Sequence, residues 1–448
     1  MLSNQQPPVT VGTQLTRRAF TLGVAGLATA LATAGALAGC SQSSSSGGDT
    51  ITYWSSNQGK SLDSDKQFLT TVLDDFTKQT GLKVNLEVIG WANLQNRIQT
   101  AITSGQGPDV INIGNTWSTS LQATGAFLPF DDAALKAVGG KEKFVTQAFA
   151  VGGKPGQPVT SLPLYGLAYA VYYNKKMFAD AGVQAPTTWE DFVATAKKLT
   201  KGGVYGFGVA GSSYFVNSHF AFMFSAQNGG NWFDSSDKPS FTTSENVKGV
   251  KRYLDLMQTD KVVNPSDAQY DDPSKLAADF AAGKIAMMAG PTMDAAIVQN
   301  GMKSTDYGAF ALPAPAAAAA QISTFPVGAN VSILKNTKNK DSALKLVKYL
   351  TGKDVQIKLA NQFGSLAVLN GVAPTFTDNT ESLKVQQTVY ETRSKPMPLV
   401  ASEDQFESTV GKAMIAMFTK IATGSTLTES DIRAGLQQAQ SQVTQTAG

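Results

Sequence analysis

Apolar and polar positions follow two rhythms along this chain. Phe68, Leu69, Val72, Leu73 and Phe76 fall on one stripe of a 3.6-residue period, which predicts a helix over Phe68–Gln79 with Gly81 as its cap. A second helix is predicted over Leu94–Ser104, closed by Gly105. Between and around them, Ile51–Trp54, Lys83–Ile89 and Pro108–Ile113 read as strands. Strand, helix, strand, helix, strand is the rhythm of an α/β sheet with parallel neighbours, and ligands lie off the carboxyl ends of such strands. Leu162–Phe192 is the stretch around which the rest is organised. Its apolar aromatic run LPLYGLAYAVYY reads as strand. Asn174 then opens a short helix stopped by Gly182, and Thr188 caps a further helix with Glu190 and Asp191 in its first turn. Met414, Met417 and Phe418 have ordinary core spacing, and Pro313–Gln321 reads as a low-complexity surface loop.

The first residues carry a different signal. Arg17-Arg18 precedes the uncharged stretch Leu22–Leu37, and Leu37-Ala38-Gly39-Cys40 matches a bacterial lipobox. Residues 1–39 are therefore expected to be a signal peptide of twin-arginine-like or general-export type. Residues 40–49 are then a lipidated Cys40 and a flexible Ser/Gly tether, which puts the protein on the outer face of the cell membrane. Cys40 is the only cysteine, so no thiol remains for a disulfide, a metal site or a nucleophile. The formal charge of +3 includes Arg17 and Arg18, so the exported chain is close to neutral. No Lys/Arg cluster suggests nucleic acid.

The folded part is too long for one core and should form two domains. Tyr172-Tyr-Asn-Lys-Lys-Met-Phe178 and Pro186-Thr-Thr-Trp-Glu-Asp-Phe192 resemble the bacterial extracellular solute-binding proteins, in particular the sugar-binding family that includes maltose-binding protein. Phe76-x-Lys-x-Thr-Gly-x-Lys-Val84, Gly105-x-Gly-Pro-Asp-Val-Ile111, Leu128–Asp132 and Phe280-x-x-Gly-Lys-x-Ala-Met extend the likeness over essentially the whole exported chain. The resemblance implies a two-lobed periplasmic-binding-protein fold. Each lobe would be a mixed, mostly parallel sheet flanked by helices, joined by crossings near Tyr165–Ala170, Met302–Tyr307 and Leu366–Val372. Lobe 1 would then be residues 50–166 plus 304–369, and lobe 2 residues 167–303 plus 370–448. It further implies a monomeric receptor that captures a carbohydrate by hinge closure, needs no cofactor, and docks on the permease subunits of an ABC importer.

Sugars need planar polar side chains for their hydroxyls and aromatic faces for their C–H faces. Trp54, Asn57 and Gln58 follow the first strand, Trp91 the second, and Asn115 and Trp117 the third. Tyr169 lies in the first crossing, and Asn217, His219 and Trp232 belong to the second lobe. By the resemblance, Thr292 stands where many relatives have an aromatic residue, and Phe406 matches a further aromatic position. Each Trp is also readable as core or lobe-interface packing, and His219 as a satisfied buried residue. A polyamine receptor is the alternative binding role, although it would want several carboxylates among the aromatics. A glycan-processing enzyme would need two carboxylates across one cleft. Asp131-Asp132 and Glu403-Asp404 are adjacent pairs outside any catalytic motif.

Overall fold

Ile51 and Tyr53 point from strand β1 (Thr50–Ser56) into one core, and the residues between them face the other side of the sheet. The computed structural model describes residues 50–59, 61–372 and 379–446. The expected leader, Cys40 and the tether lie outside them. β1 pairs in parallel with β2 (Lys83–Ile89) and β3 (Val110–Gly114). β8 (Val327–Ile333) joins β3 antiparallel, and β4 (Ser161–Leu167) joins β8 antiparallel, giving the order β2-β1-β3-β8-β4. A second sheet has β5 (Tyr169–Asn174) between β6 (Met287–Pro291) and β7 (Tyr307–Phe310). Both of its pairings are antiparallel, where the expectation was a mostly parallel sheet.

Each sheet has its own apolar core. Tyr53, Phe76, Phe130 and Leu346 belong to the first, and Tyr172, Phe220, Met288 and Phe418 to the second. The chain is thus a two-lobed α/β protein. β4 ends in the first sheet at Leu167 and β5 starts the second at Tyr169, so the first crossing falls on Ala168. The return lies later than Met302–Tyr307. Tyr307–Asn174 and Phe310–Val171 pairing holds β7 in the second lobe, and the chain re-enters the first sheet only at Val327. The boundary expected at residue 304 is corrected accordingly. Leu366 and Leu369 still bridge to Gly166 and Phe144 of the first lobe, whereas helix Thr380–Thr392 packs on β5 and β7.

Local chemistry sets the helix ends. Ser61 Oγ accepts from Ser64 N at 3.2 Å, so the first helix spans Leu62–Thr80, starting six residues before its periodic stripe does; Gly81 ends it at φ 75°. Helix Trp91–Ser104 likewise begins earlier, directly after Gly90. Asn174 Oδ1 caps Lys175–Ala181 by accepting from Met177 N at 3.1 Å. Thr188 Oγ1 caps Trp189–Leu199 by accepting from Asp191 N. Thr188→Ala should therefore lower stability by about 1 kcal/mol in urea unfolding, and Thr188→Ser should restore most of it.

Two helices of the second lobe carry the site. Tyr214–Gln227 is buried from Val216 to Gln227. Glu403–Ala422 lies beside it, so close that a Cβ on Gly411 would collide with the Tyr214 carbonyl. The first turns of Glu403–Ala422 meet the first lobe at Trp117 and Ser120. Among the described residues, no helix is long and apolar enough to cross a membrane.

Candidate functional site

The carboxyl end of β3 runs into a 3-10 turn, Asn115–Trp117, followed by helix Ser118–Ala123. The turn swings Trp117 out of the first sheet towards the second lobe. There its indole N–H donates to Glu407 Oε2 at 2.6 Å. The other Glu407 oxygen accepts from His219 Nε2 at 3.1 Å, and His219 Nδ1 faces the Tyr169 hydroxyl at 2.8 Å. A continuous chain of hydrogen bonds, Trp117–Glu407–His219–Tyr169, therefore joins the lobes in a buried setting. Trp91 packs edge-on against Trp117 at 5.8 Å between ring centres. Nearby, the Tyr214 hydroxyl reaches across to donate to Gln95 Oε1 at 3.2 Å. Burial, with the charges of Glu407 and Asp404, raises the Tyr214 hydroxyl above its ordinary range.

Of the sequence candidates, Trp91, Trp117, Tyr169 and His219 come together here. Others are held elsewhere. β1 continues two residues past Trp54, so Trp54 sits opposite Glu87 within the sheet rather than at a strand end. The Arg97 guanidinium, ion-paired to Glu87, lies 4.4 Å over its ring. Asn57 and Gln58 form a loop clamped by the buried Asp65 carboxyl. Asp65 accepts from Asn57 Nδ2 at 2.8 Å and from Gln58 N at 2.6 Å. Asn115 is occupied at both ends, donating to Pro326 O and accepting from Gly328 N, and so fastens the start of β8.

Trp232 and Phe406 are corrected to core residues. They are 1% and 0% exposed and pack 4.8 Å apart, with Phe241 against both rings. Asn217 donates to Gly211 O and leaves its buried Oδ1 without a partner. Thr292 is fixed to the first crossing. Its N–H donates to Ala168 O at 3.1 Å and its hydroxyl oxygen accepts from Ala168 N at 3.2 Å. These two bonds hold a β-branched residue at φ 51°, a backbone region that ordinarily costs about 1–3 kcal/mol.

Sequence reading set Glu403 and Asp404 aside as an adjacent pair and did not consider Glu407. Glu403, Asp404 and Glu407 open helix Glu403–Ala422. Glu403 is 1% exposed and neither of its carboxyl oxygens has a hydrogen-bond partner. Burial first, then the charges of Glu407 and Asp404, drives its pKa well above the ordinary carboxyl range. Burial likewise pushes Asp404 up to about 6 against a hydrogen bond from Ser120 of the first lobe. First-turn acids gain about 0.3–1 kcal/mol from the helix dipole. That is small beside the several kcal/mol needed to desolvate a carboxylate. A signal for them existed. The buried stripe Ile421, Met417, Met414, Val410 continues at helical spacing to Glu407 and Glu403, so carboxyls occupy core-facing positions. Among the described residues, no group of His, Cys, Asp and Glu has the arrangement of a metal site.

Comparison with known proteins places this geometry in a family. The family model described as bacterial extracellular solute-binding protein matches residues 59–357. The multiple sugar-binding protein of Streptococcus mutans is 27% identical over 78% of this chain and 82% of its own length. The diacetylchitobiose binding protein DasA of Streptomyces coelicolor is 25% identical over 75% of each. The ABC substrate-binding protein Lmo0181 of Listeria monocytogenes, solved with cycloalternan, shares the fold at TM-score 0.75. It is 20% identical, over 89% of this chain and 99% of that one. Two separately cored lobes in the periplasmic-binding-protein arrangement, with aromatic and polar side chains meeting where they join, agree with the family match over most of the chain: it belongs to the bacterial extracellular solute-binding protein family.

Proposed function

We propose that the protein is a lipid-anchored receptor that captures a carbohydrate, an oligosaccharide or glycoside, between its lobes and delivers it to an ABC-type permease. The observation that carries this reading is the Trp117–Glu407–His219–Tyr169 chain. Beside it Glu403 and Asp404 offer unpartnered oxygens for hydroxyls, and the half-buried Trp91 and Tyr214 offer ring faces for sugars. Because its members come from both lobes, a solute bound there gains contacts only when the lobes approach, and it shifts the open–closed balance by that difference. The relatives named for sugars support carbohydrate over other solutes. The Leu37–Cys40 lipobox supports anchoring at Cys40, with the receptor acting as a monomer outside the membrane. The role is binding, so no catalytic residue is assigned.

Thermal unfolding of the purified protein against mono- and oligosaccharides and amino acids tests the reading. A true solute at 100 times its Kd should add about 2.7 kcal/mol and raise the midpoint by a few degrees. A response to amino acids alone would remove carbohydrate from the assignment.

A further inference from the structure

We infer that the solute carries a positively charged nitrogen, most simply the ammonium group of an amino sugar, seated against Glu403, Asp404 and Glu407. The inference rests on the carbohydrate reading above and narrows it. Three carboxyls share the first two turns of one helix at the junction of the lobes. Ser120 and Trp117 meet them from the first lobe, and His219 and Tyr214 lie by them in the second. Glu407 is engaged by Trp117 and His219. Glu403, 1% exposed, has both oxygens unpartnered, and Asp404 Oδ1 is buried without a partner as well. Among the described residues, no Lys or Arg is ion-paired to any of the three; His219 is the one basic group in contact with them.

Hydroxyl groups of a neutral sugar would satisfy the free acceptors but leave the charge shared by Asp404 and Glu407, which adds to burial in driving Glu403 towards its protonated form, uncompensated. A seated ligand also expels water, which makes that charge harder to bear. An ammonium group supplies three donors and a positive charge together. The half-buried rings of Trp91, against Trp117, and of Tyr214, within reach of the Glu407 and Asp404 charges, suit the same group, since ring faces attract cations. Carboxyls with aromatics are therefore matched to a solute that is cationic at one end and a sugar at the other.

Calorimetric titration with matched pairs decides this. Glucosamine is compared with glucose and galactosamine with galactose, and short glucosamine oligomers are compared with their N-acetylated and unsubstituted counterparts. Putrescine and spermidine complete the panel. The expected result is that an amino sugar binds about 30-fold or more tightly than its neutral parent, the lower end for a desolvated charge pair. The Glu403→Gln/Asp404→Asn double variant should bring the two within a few-fold of each other. Its thermal midpoint should be unchanged or higher, because Gln matches the protonated Glu403 and Asn removes the buried charge of Asp404. Equal or tighter binding of the neutral parent overturns the inference and leaves the carbohydrate reading standing. Binding of polyamines alone upholds recognition of a cationic nitrogen and overturns the carbohydrate reading. Amine selectivity that survives in the double variant, or no binding by any amine, overturns the inference.

Discussion

Glu407→Ala is expected to destabilise the folded protein by roughly 4 kcal/mol, because two buried donors lose their acceptor at once and each stranded donor costs about 1–3 kcal/mol. The donors are the Trp117 indole and the His219 ring, one from each lobe. Urea unfolding gives the loss directly. The informative control is Glu407→Gln. It keeps one carbonyl oxygen for one donor and removes a negative charge from beside Glu403, so its loss should stay below about 2 kcal/mol. Equal losses in the two variants would falsify the claim that the bonds, rather than the bulk of the side chain, hold this junction.

The second large effect is a stability that rises as the solution is acidified from neutral. Asp267 lies in a 3-10 turn of the second lobe, 2% exposed. Burial, only partly offset by the Val209 N–H, pushes it up to about 7. The native state therefore holds a proton that the unfolded chain releases near pH 4. The stability from this group is fully present below about pH 4 and is lost as pH rises through about 7, roughly 4 kcal/mol in all. Asp404, pushed up to about 6, acts in the same direction over a narrower window. Asp75, Asp234, Asp271 and Asp431 have opposite shifts, from hydrogen bonds that favour the charged form, so their contribution is lost as pH falls below about 4. Thermal midpoints should thus climb from about pH 8 to about pH 5 and turn down at stronger acidity. Asp267→Asn should flatten the climb; a midpoint that instead falls steadily from pH 8 to pH 5 would contradict the assignment.

Much of the fold was legible because its periodic segments are long. Leu69, Val72, Leu73 and Phe76 announce their helix, and Lys83–Ile89 is a strand from end to end. β7 was missed because four residues are too few to display alternation, and what makes Tyr307–Phe310 a strand is backbone pairing with β5. The site was half legible. Residue type marked Trp91, Trp117, Tyr169 and His219 as ligand-facing, and these four meet at the junction of the lobes. It marked Trp54 and Trp232 for the same reason, and only the sheet face and the core neighbours separate the two groups. The acids were passed over because adjacency in sequence was judged, whereas Glu403 and Glu407 lie one turn apart on the same buried stripe.

The paired bonds between Ala168 and Thr292 act as a pin in a joint. Tyr169 N also donates to Thr324 Oγ1 at 3.0 Å, and Leu366 bridges to Gly166, so outgoing and returning chain are laced together within a few residues. A pin of this kind leaves rotation free and blocks sliding. In the proposed receptor, opening and closing would then reduce to one angular coordinate, with both cores moving as unaltered bodies. The permease of that proposal would read the value of a single angle.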